Sequence, residues 1–243
     1  MDLGLHGRVA IVAAASRGLG KAAAAALAAE GAHLVVAARG EESLAATVSE
    51  LRAAGVDVVP VVADGTDPDV PGHLVETALD RFGRLDVVVA NAGGPPPGRA
   101  LDVDDAGLMS ALEANLLSSI RLARHAVPPM RAAGWGRLCC VTSYTIVQAA
   151  PTLALSNTAR TALWAWAKTA AQDLARQATG ITVNLACPGP HATDRMRELG
   201  ASGDTPMGDP AAFGRIVAFL CSEPAAFVNG ARLVVDGGAT LAL

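Results

Sequence analysis

Short runs of apolar and β-branched residues alternate with stretches of helical length along this chain. Most of these runs are apolar throughout, without alternating polar positions, which is typical of strands covered on both faces of a parallel sheet. The pattern therefore predicts an α/β fold in one domain over residues 1–243, with a doubly wound seven-stranded parallel sheet and right-handed crossovers. The predicted strands are 8–13, 32–38, 56–62, 85–91, 137–142, 181–186 and 232–236.

The stretches between the strands predict helices that flank the sheet. Glycine commonly follows the last residue of a helix, because it adopts the left-handed backbone conformation without steric cost. Five glycines supply such stop signals, at Gly31, Gly55, Gly83, Gly134 and Gly180. The predicted helices are 18–31, 41–54, 68–82, 102–133, 151–178 and 209–222.

The segment Thr161 to Leu174 differs from an ordinary surface helix. It carries Leu163, Trp164, Trp166 and many alanines around nearly its whole circumference. A helix that is apolar all round is buried on both sides. We expect one side to face the sheet and the other to face a second subunit, which predicts a homotetramer or dimer; the alternative is a helix covered by a loop.

Composition and charge exclude several classes of protein. The formal net charge of −4 over 243 residues provides no polybasic surface for nucleic acid. The longest alanine-rich apolar stretch is 22–29, whereas a membrane span needs about twenty apolar residues. The sequence begins without the basic start and hydrophobic run of a signal peptide, so we expect a cytoplasmic protein with neither a membrane nor a nucleic-acid partner.

The four cysteines do not have the spacing of a metal site. Cys139, Cys140, Cys187 and Cys221 include no CxxC pair, and three of them lie in or beside strand-like or helical runs. Free cysteine behaves as a small hydrophobic residue in such positions. We therefore expect four buried thiols and no metal.

A glycine-rich turn follows the first predicted strand. Ala13-Ala14-Ala15-Ser16-Arg17-Gly18-Leu19-Gly20 opens a helix within a βαβ unit. Glycines at such a turn let the backbone approach a pyrophosphate, and the start of the helix offers free N–H groups and a positive dipole end. The turn predicts a dinucleotide site; a tight strand-to-helix connection without a ligand is the alternative.

Further motifs give a resemblance over essentially the whole chain. The glycine-rich turn, Asp64 after the third strand, Ala90-Asn91-Ala92-Gly93, Asn115, Ser143, Pro188-Gly189 with Thr193, and the ending Val235-Asp236-Gly237-Gly238 stand in the order and spacing of one family. On these motifs the sequence resembles the short-chain dehydrogenase/reductase family, in a divergent branch similar to oxoacyl carrier-protein reductases. The resemblance implies a Rossmann fold and a nicotinamide cofactor.

The resemblance also implies where the cofactor lies. Asp64 would be near the adenine, Asn91 to Gly93 along the ribose side, and Thr193 near the nicotinamide. The second strand ends at Arg39 where an NAD site usually has an acid, and Arg39 and Arg17 could pair with a 2′-phosphate, so we expect NADP rather than NAD; two solvated arginines are the alternative. Ala14 stands at the family's first glycine position, and we expect its methyl group to weaken binding. The predicted cofactor residues are Ala14, Ser16, Arg17, Gly18, Leu19, Gly20, Arg39, Asp64, Asn91, Ala92, Gly93, Arg160, Pro188, Gly189 and Thr193.

The catalytic pair of the family is replaced in this chain. The resemblance places a Tyr thirteen residues after Ser143 and a Lys four residues later, where this sequence has Ser156 and Arg160. A serine side chain is shorter than a tyrosine side chain, and its hydroxyl is a much poorer acid than a phenol. We therefore expect Ser156 to act through a water. Arg160 keeps the positive charge beside the ribose. The resemblance implies that Ser143 bonds the substrate oxygen and Asn115 holds a water; local backbone bonding is the alternative for both.

Two other side chains are candidate proton donors. Tyr144 is the only tyrosine and directly follows Ser143. Its phenol enters the pocket if the backbone turns there, and points to the other face if strand alternation continues. His191 lies in the Pro188-Gly189-Pro190-His191 loop, and imidazole is a common proton-transfer group; it could also be a simple exposed histidine. Lys168 is about 12 Å along the helix from Arg160 and cannot replace the missing lysine.

Two loops border the predicted site. Gly93-Gly94-Pro95-Pro96-Pro97-Gly98 follows a strand in the position of an active-site loop. The segment 190–208 is shorter than the substrate lid that the resemblance implies, and Leu199 to Asp204 is small and flexible in composition. We expect an open pocket, or one completed by a neighbouring subunit.

The sequence therefore predicts an NADP-dependent oxidoreductase that acts on a small molecule, a ketone or a secondary alcohol. Two alternatives stay open, because the family's Tyr and Lys are absent. One is a nucleotide-binding scaffold or sensor without redox turnover. The other is an enzyme of non-redox chemistry, such as a cyclisation or dehydration.

Overall fold

The computed structural model describes residues 1–200 and 206–242. Its sheet has seven parallel strands in the order β3-β2-β1-β4-β5-β6-β7, so the predicted α/β fold is confirmed. The strand order reverses between β1 and β4. In such sheets, ligands usually bind in the crevice at the carboxyl ends of the strands where this reversal occurs. The strands are β1 (Val9–Ala13), β2 (His33–Ala38), β3 (Val58–Val62), β4 (Val87–Ala90), β5 (Gly136–Val141), β6 (Ile181–Pro188) and β7 (Arg232–Val235).

Eight α-helices are present in the described part of the chain. They are α1 (Gly18–Ala29), α2 (Glu41–Arg52), α3 (Val70–Phe82), α4 (Asp105–Leu112), α5 (Ser118–Ala133), α6 (Ala154–Arg176), α7 (Asp194–Glu198) and α8 (Pro210–Leu220).

The hydrophobic core lies on both faces of the sheet. Alternate residues of β1 face opposite layers: Val12 packs with Leu27 of α1 and Phe213 of α8, whereas Ile11 packs with Leu163 of α6 and Met130 of α5. Because the central strands are covered on both sides, their sequences are apolar throughout. This two-sided cover is the doubly wound arrangement of a Rossmann fold.

One predicted helix is interrupted. Residues 102–133 form α4, a π-helical turn over Glu113–Leu117, and α5. The helix begins three residues later than predicted because the Asp104 side chain caps it, accepting a hydrogen bond of 2.8 Å from the Gly107 N–H. The π turn inserts an extra residue and re-aims the side chains around Asn115. Periodicity gives no signal for such an insertion.

Two short elements are additional to those predicted. A 3₁₀ turn spans Tyr144–Ile146 directly after β5, and α7 follows Thr193. Both have fewer than six residues, which is too short for a hydrophobic period to appear.

The tryptophan-bearing part of α6 is buried on one face. Leu163, Ala167 and Leu174 pack against the sheet, whereas Thr161 and Ala165 are exposed. Trp164 is half-buried, with the Arg232 guanidinium 4.3 Å from its ring centre. In a single chain the outer face of this segment is therefore uncovered, and its contact with a second subunit stays a prediction.

Three expectations concern the whole chain. All four cysteines are free and buried, as predicted. Residues 1–200 and 206–242 contain no group of three or more His, Cys, Asp or Glu residues able to hold a metal ion. No helix in these same ranges is both long and apolar enough to cross a bilayer. Most of the short stretch Leu199 to Asp204, in the predicted loop 190–208, lies outside the described residues.

Candidate active site

The glycine-rich turn is tied to the end of β4 by its backbone. Ala14 has a positive φ of 49°, and its carbonyl oxygen accepts a hydrogen bond of 3.4 Å from Asn91 Nδ2. A Cβ on Gly20 would lie 2.6 Å from Asn91 Nδ2 and would also collide with the Ala14 carbonyl oxygen. Only glycine fits at position 20, because the turn, the start of α1 and the end of β4 meet there.

Neighbouring elements hold the turn from the other sides. Thr47 of α2 donates a hydrogen bond of 3.0 Å to the Ser16 carbonyl oxygen. Gly18 has a φ of 55°, and the position of a Cβ on it would be 3.6 Å from Thr193 Cγ2. Thr193 follows β6, so three of the predicted cofactor segments, after β1, β4 and β6, converge on one crevice.

Two arginines are exposed beside this crevice, Arg17 in the glycine-rich turn and Arg39 directly after β2. The side chains of Arg17 and Arg39 are 67% and 75% exposed. Arg39 Nη1 is 3.9 Å from Asp64 Oδ2, and Arg17 Nη1 is 3.6 Å from Glu198 Oε1. Both guanidinium groups are therefore accessible to an additional anion.

Asp64 is held by its own loop. Its Oδ1 accepts hydrogen bonds of 3.0 Å from the Thr66 N–H and 2.9 Å from the Thr66 hydroxyl. These bonds lower the pKa of the Asp64 carboxyl, and the Arg39 guanidinium lowers it further. The side chain is thus an anionic acceptor beside Arg39.

The segment after β6 packs on the C-terminal motif. The Gly189 N–H donates a hydrogen bond of 2.9 Å to the Val235 carbonyl oxygen. A Cβ on Gly189 would lie 2.7 Å from Asp236 Cα, which explains glycine at this position. Pro188 and Gly189 are thereby fixed against the end of β7.

Ser143 lies two residues after the end of β5 and caps the start of the 3₁₀ turn. Its Oγ accepts hydrogen bonds of 3.2 Å from the Thr145 N–H and 3.0 Å from the Thr145 hydroxyl. Because the backbone turns here, strand alternation stops before Tyr144, and entry of its phenol into the pocket stays a prediction. Tyr144 is half-buried. Its entry into proton transfer stays a prediction.

Ser156 and Arg160 lie one turn apart on α6. Ser156 is 7% exposed, and no hydrogen bond to its hydroxyl occurs among the described residues. Arg160 is 6% exposed, and its guanidinium donates hydrogen bonds to three backbone carbonyl oxygens: Val141 at 2.9 Å, Thr142 at 3.0 Å and Ala92 at 3.3 Å. Three of its five N–H groups are thus used inside the protein, and the predicted ribose contact depends on the remaining two.

The environment of Arg160 is unfavourable for its charge. Burial lowers the pKa of Arg160 to about 10, and the neighbouring Arg195 guanidinium contributes to the lowering. The group remains charged at neutral pH. It therefore supplies a positive potential at the carboxyl ends of β4 and β5.

Arg195 was not among the predicted site residues. It lies on α7, and its Nη2 donates a hydrogen bond of 2.6 Å to the Pro95 carbonyl oxygen in the loop after β4. The one sequence signal that could have indicated Arg195 as a site residue is its position two residues after Thr193. The side chain crosses from one wall of the crevice to the other, a contact that the sequence does not indicate.

Asn115 and His191 occupy different settings. Asn115, in the π turn, donates a hydrogen bond of 3.4 Å to the Ala111 carbonyl oxygen, while its own Oδ1 is buried without a partner among the described residues. A buried acceptor of this kind is usually satisfied by water. His191 is buried edge-on against Phe213, with Nδ1 3.0 Å from the Gly189 carbonyl oxygen. The alternative of a simple exposed histidine is therefore wrong, because the imidazole is buried against Phe213.

Comparisons with known proteins identify relatives of this chain. The family model described as "Enoyl-(Acyl carrier protein) reductase" matches residues 13–240. A 3-oxoacyl-[acyl-carrier-protein] reductase of Synechocystis is 33% identical, over 96% of this chain and 97% of the relative. The human dehydrogenase/reductase SDR family member 4 is 31% identical, over 96% of this chain and 88% of the relative.

A solved structure extends the agreement to the fold. The L-sorbose reductase of Gluconobacter frateurii, crystallised with NADPH and L-sorbose, superimposes with a TM-score of 0.92. It is 30% identical, and the match covers 100% of both chains. Fold, motifs and relatives thus lead to one assignment, and this chain belongs to the short-chain dehydrogenase/reductase family of oxidoreductases.

Proposed function

We propose that this protein is an NADP-dependent oxidoreductase that transfers hydride to or from a ketone or a secondary alcohol, with a proton route that does not use a Tyr-Lys pair. The observation that carries the proposal is the convergence of the glycine-rich turn, Asn91 and Thr193 on one crevice, with Arg17 and Arg39 exposed at its rim.

The residues present fit a dinucleotide. The free N–H groups at the start of α1 and the absence of a side chain at Gly18 and Gly20 suit a pyrophosphate. The guanidinium groups of Arg17 and Arg39 suit the 2′-phosphate that distinguishes NADP from NAD. When bound, the nicotinamide supplies or accepts the hydride. Asn91 to Gly93 and Thr193 would border its ribose and ring.

The chain's own residues then handle the carbonyl oxygen. Reduction adds hydride to the carbonyl carbon and a proton to the oxygen, and oxidation of the alcohol removes both. Ser143 would bind and orient the oxygen, and the potential of Arg160 stabilises negative charge that develops on it. Ser156, through a water, or Tyr144 would deliver or remove the proton.

Cofactor titration is the first experiment. NADPH and NADH are titrated into the protein, and absorbance of the reduced nicotinamide is followed with a panel of diketones, quinones and oxoacyl thioesters. We expect NADPH to bind more tightly than NADH, and at least one compound to be reduced. Arg17→Ala and Arg39→Ala should each weaken NADPH binding about tenfold, with little effect on NADH, because each removes a charge-assisted bond. Arg176→Ala, on the far end of α6, is the matched control.

The outcomes separate the three candidate functions. Binding with no turnover of any compound favours the scaffold. A ligand that binds the crevice without nucleotide favours non-redox chemistry. Equal affinity for NADPH and NADH in the presence of both arginines contradicts the NADP assignment.

A further inference from the structure

Arg195 places a second cation in the crevice. Its side chain is one-third exposed, and its guanidinium lies at the backbone of Gly94 and Pro95, just beyond the segment Asn91 to Gly93. The Ala92 carbonyl oxygen of that same segment accepts a hydrogen bond from Arg160. Two guanidinium groups thus contact one loop, one of them buried and the other one-third exposed.

The charges around these two arginines do not balance. Among the described residues, Arg160 has no carboxylate within ion-pair distance, and its bonds go to neutral carbonyl groups. The two acids of α7 are each shared by two arginines: Glu198 contacts Arg17 and Arg195, and Asp194 contacts Arg17 and Arg197. The wall formed by α7 and Arg160 therefore carries an excess of positive charge.

We propose that the site takes a carbonyl substrate that also carries a carboxylate, and that Arg195 binds this carboxylate. The inference rests on the proposed function, which it narrows to oxoacids or hydroxyacids. A buried cation without a counter-ion is costly, and an anion in the crevice would offset that cost for Arg160 as well as pairing with Arg195.

Arg195 is better suited to this contact than Arg160. Its bond to Pro95 uses one of five N–H groups, and its Nη1 is 3.6 Å from Glu198, beyond hydrogen-bond range. Donors therefore remain for a carboxylate. On the proposed function the start of α1 would meet the cofactor's phosphates, whereas Arg195 reaches the loop after β4.

The test compares matched substrates and matched variants. Turnover and KM are measured with 4-oxopentanoate and with its methyl ester, in which one added methyl group removes the negative charge. The affinity of each for the NADPH-loaded or NADP-loaded protein is also measured by calorimetry, which does not require turnover. The variants are Arg195→Met, Arg195→Lys and, as the control on the same helix, Arg197→Met.

We expect wild-type protein to prefer the acid to the ester. Arg195→Met should weaken binding of the acid about tenfold or more, since one charge-assisted bond is lost. Binding of the ester and of NADPH should not change, Arg195→Lys should recover part of the affinity, and Arg197→Met should resemble wild type.

Three results overturn the inference: equal use of acid and ester by wild-type protein, no binding of the acid, or an equal loss of acid and ester in Arg195→Met. A fall in NADPH affinity in Arg195→Met would instead assign Arg195 to the cofactor. Arg195-dependent binding of the acid, together with no turnover of any compound in the panel, would keep the anion site and reject the proposed redox function. Turnover of neutral ketones without any preference for the acid would keep the proposed redox function and reject the anion site.

Discussion

Arg160 Nη1 donates a hydrogen bond of 3.0 Å to the carbonyl oxygen of Thr142, at the point where β5 ends. The same guanidinium reaches Ala92 after β4, so one side chain of α6 joins the ends of two neighbouring strands. The resemblance places a lysine here whose ammonium holds the cofactor ribose. In this chain the larger, forked group binds the protein's own backbone.

Removal of this guanidinium should destabilise the fold. Arg160→Met keeps the length of the side chain but leaves three carbonyl oxygens without their donor, and we expect a loss of about 2 kcal/mol in the free energy of unfolding. Arg160→Lys should lose less, because an ammonium can retain some of the bonds. Urea unfolding measures both, with Arg176→Met as an exposed control. An unchanged midpoint in Arg160→Met would show that the three bonds contribute nothing.

Backbone strain at Ala14 should be measurable. Ala14 has a φ of 49° and Ala178, beyond the end of α6, has a φ of 52°. Glycine relieves the steric cost of this conformation but has more freedom in the unfolded chain, so each Ala→Gly change should stabilise the protein by about 0.5 to 1 kcal/mol. Ala178→Gly is distant from the crevice and serves as the control.

Only Ala14→Gly should alter the cofactor site. Removing the methyl group restores the family's glycine, and we expect NADPH to bind a few-fold more tightly. Fluorescence titration of NADPH measures this. Equal NADPH affinity in the two variants would mean that the Ala14 methyl group does not restrict the site.

Acid should destabilise the protein through Asp86. Burial raises the pKa of this carboxyl, but hydrogen bonds from Arg84, the Val9 N–H and Arg8 outweigh burial, and the pKa is lowered. A carboxyl with a lowered folded pKa stabilises the fold above its unfolded pKa of about 3.9, and this contribution is lost as the pH falls through the folded value.

Asp86→Asn tests that contribution. The variant should lose about 2 to 3 kcal/mol at pH 7, because Arg8 and Arg84 lose their buried counter-ion. Its difference from wild-type protein should shrink below about pH 4. Unfolding is followed by urea at several pH values, with Asp80→Asn, exposed on α3, as control. A difference in the free energy of unfolding between Asp86→Asn and wild-type protein that does not change with pH would contradict the lowered pKa of Asp86.

The proton route should respond to one of two substitutions. If Ser156 relays the proton through a water, Ser156→Ala should lower kcat by about a hundredfold while NADPH binding is unchanged, and Tyr144→Phe should have little effect. If Tyr144 is the donor, Tyr144→Phe should lower kcat by about a hundredfold and Ser156→Ala should have little effect. Thr158→Ala, on the same helix and exposed, is the control. Normal kcat in both variants would exclude both groups.

The outer face of α6 should be an interface in solution. Ala165 is exposed in the single chain, at the centre of the tryptophan-bearing segment. If this face meets a second subunit, Ala165→Glu buries an unpaired carboxylate there and should convert a tetramer or dimer to smaller species. Light scattering measures the mass, with Ala54→Glu, exposed after α2, as control. A wild-type monomer at micromolar concentration would reject the interface.

The meeting of the segments after β1, β4 and β6 at one crevice could be predicted because each of its parts is local. The turn at Gly18 and Gly20, the segment at Asn91 and the loop at Thr193 each follow a strand, and parallel strands place their carboxyl ends at one edge. The sequence order of these motifs therefore indicates that they meet. The contact of Thr193 with Gly18 agrees with that expectation.

Other parts of the site depend on contacts between distant residues. Arg195 is 100 positions from Pro95, and no local pattern indicates their hydrogen bond. Arg160 was predicted beside a ribose, yet its partners include carbonyl oxygens that only the sheet brings within reach. The π turn at Asn115 likewise has no periodic signal.

The amino-acid sequence by itself determined the order of strands and helices, the doubly wound sheet and the position of the glycine-rich turn, because hydrophobic period, glycine placement and chain connectivity act over short distances. The tertiary structure decided which donors of Arg160 are used, that Tyr144 leaves the strand alternation, and that Arg195 faces the loop after β4. These depend on packing and charge between segments far apart in the chain, which a linear pattern does not encode.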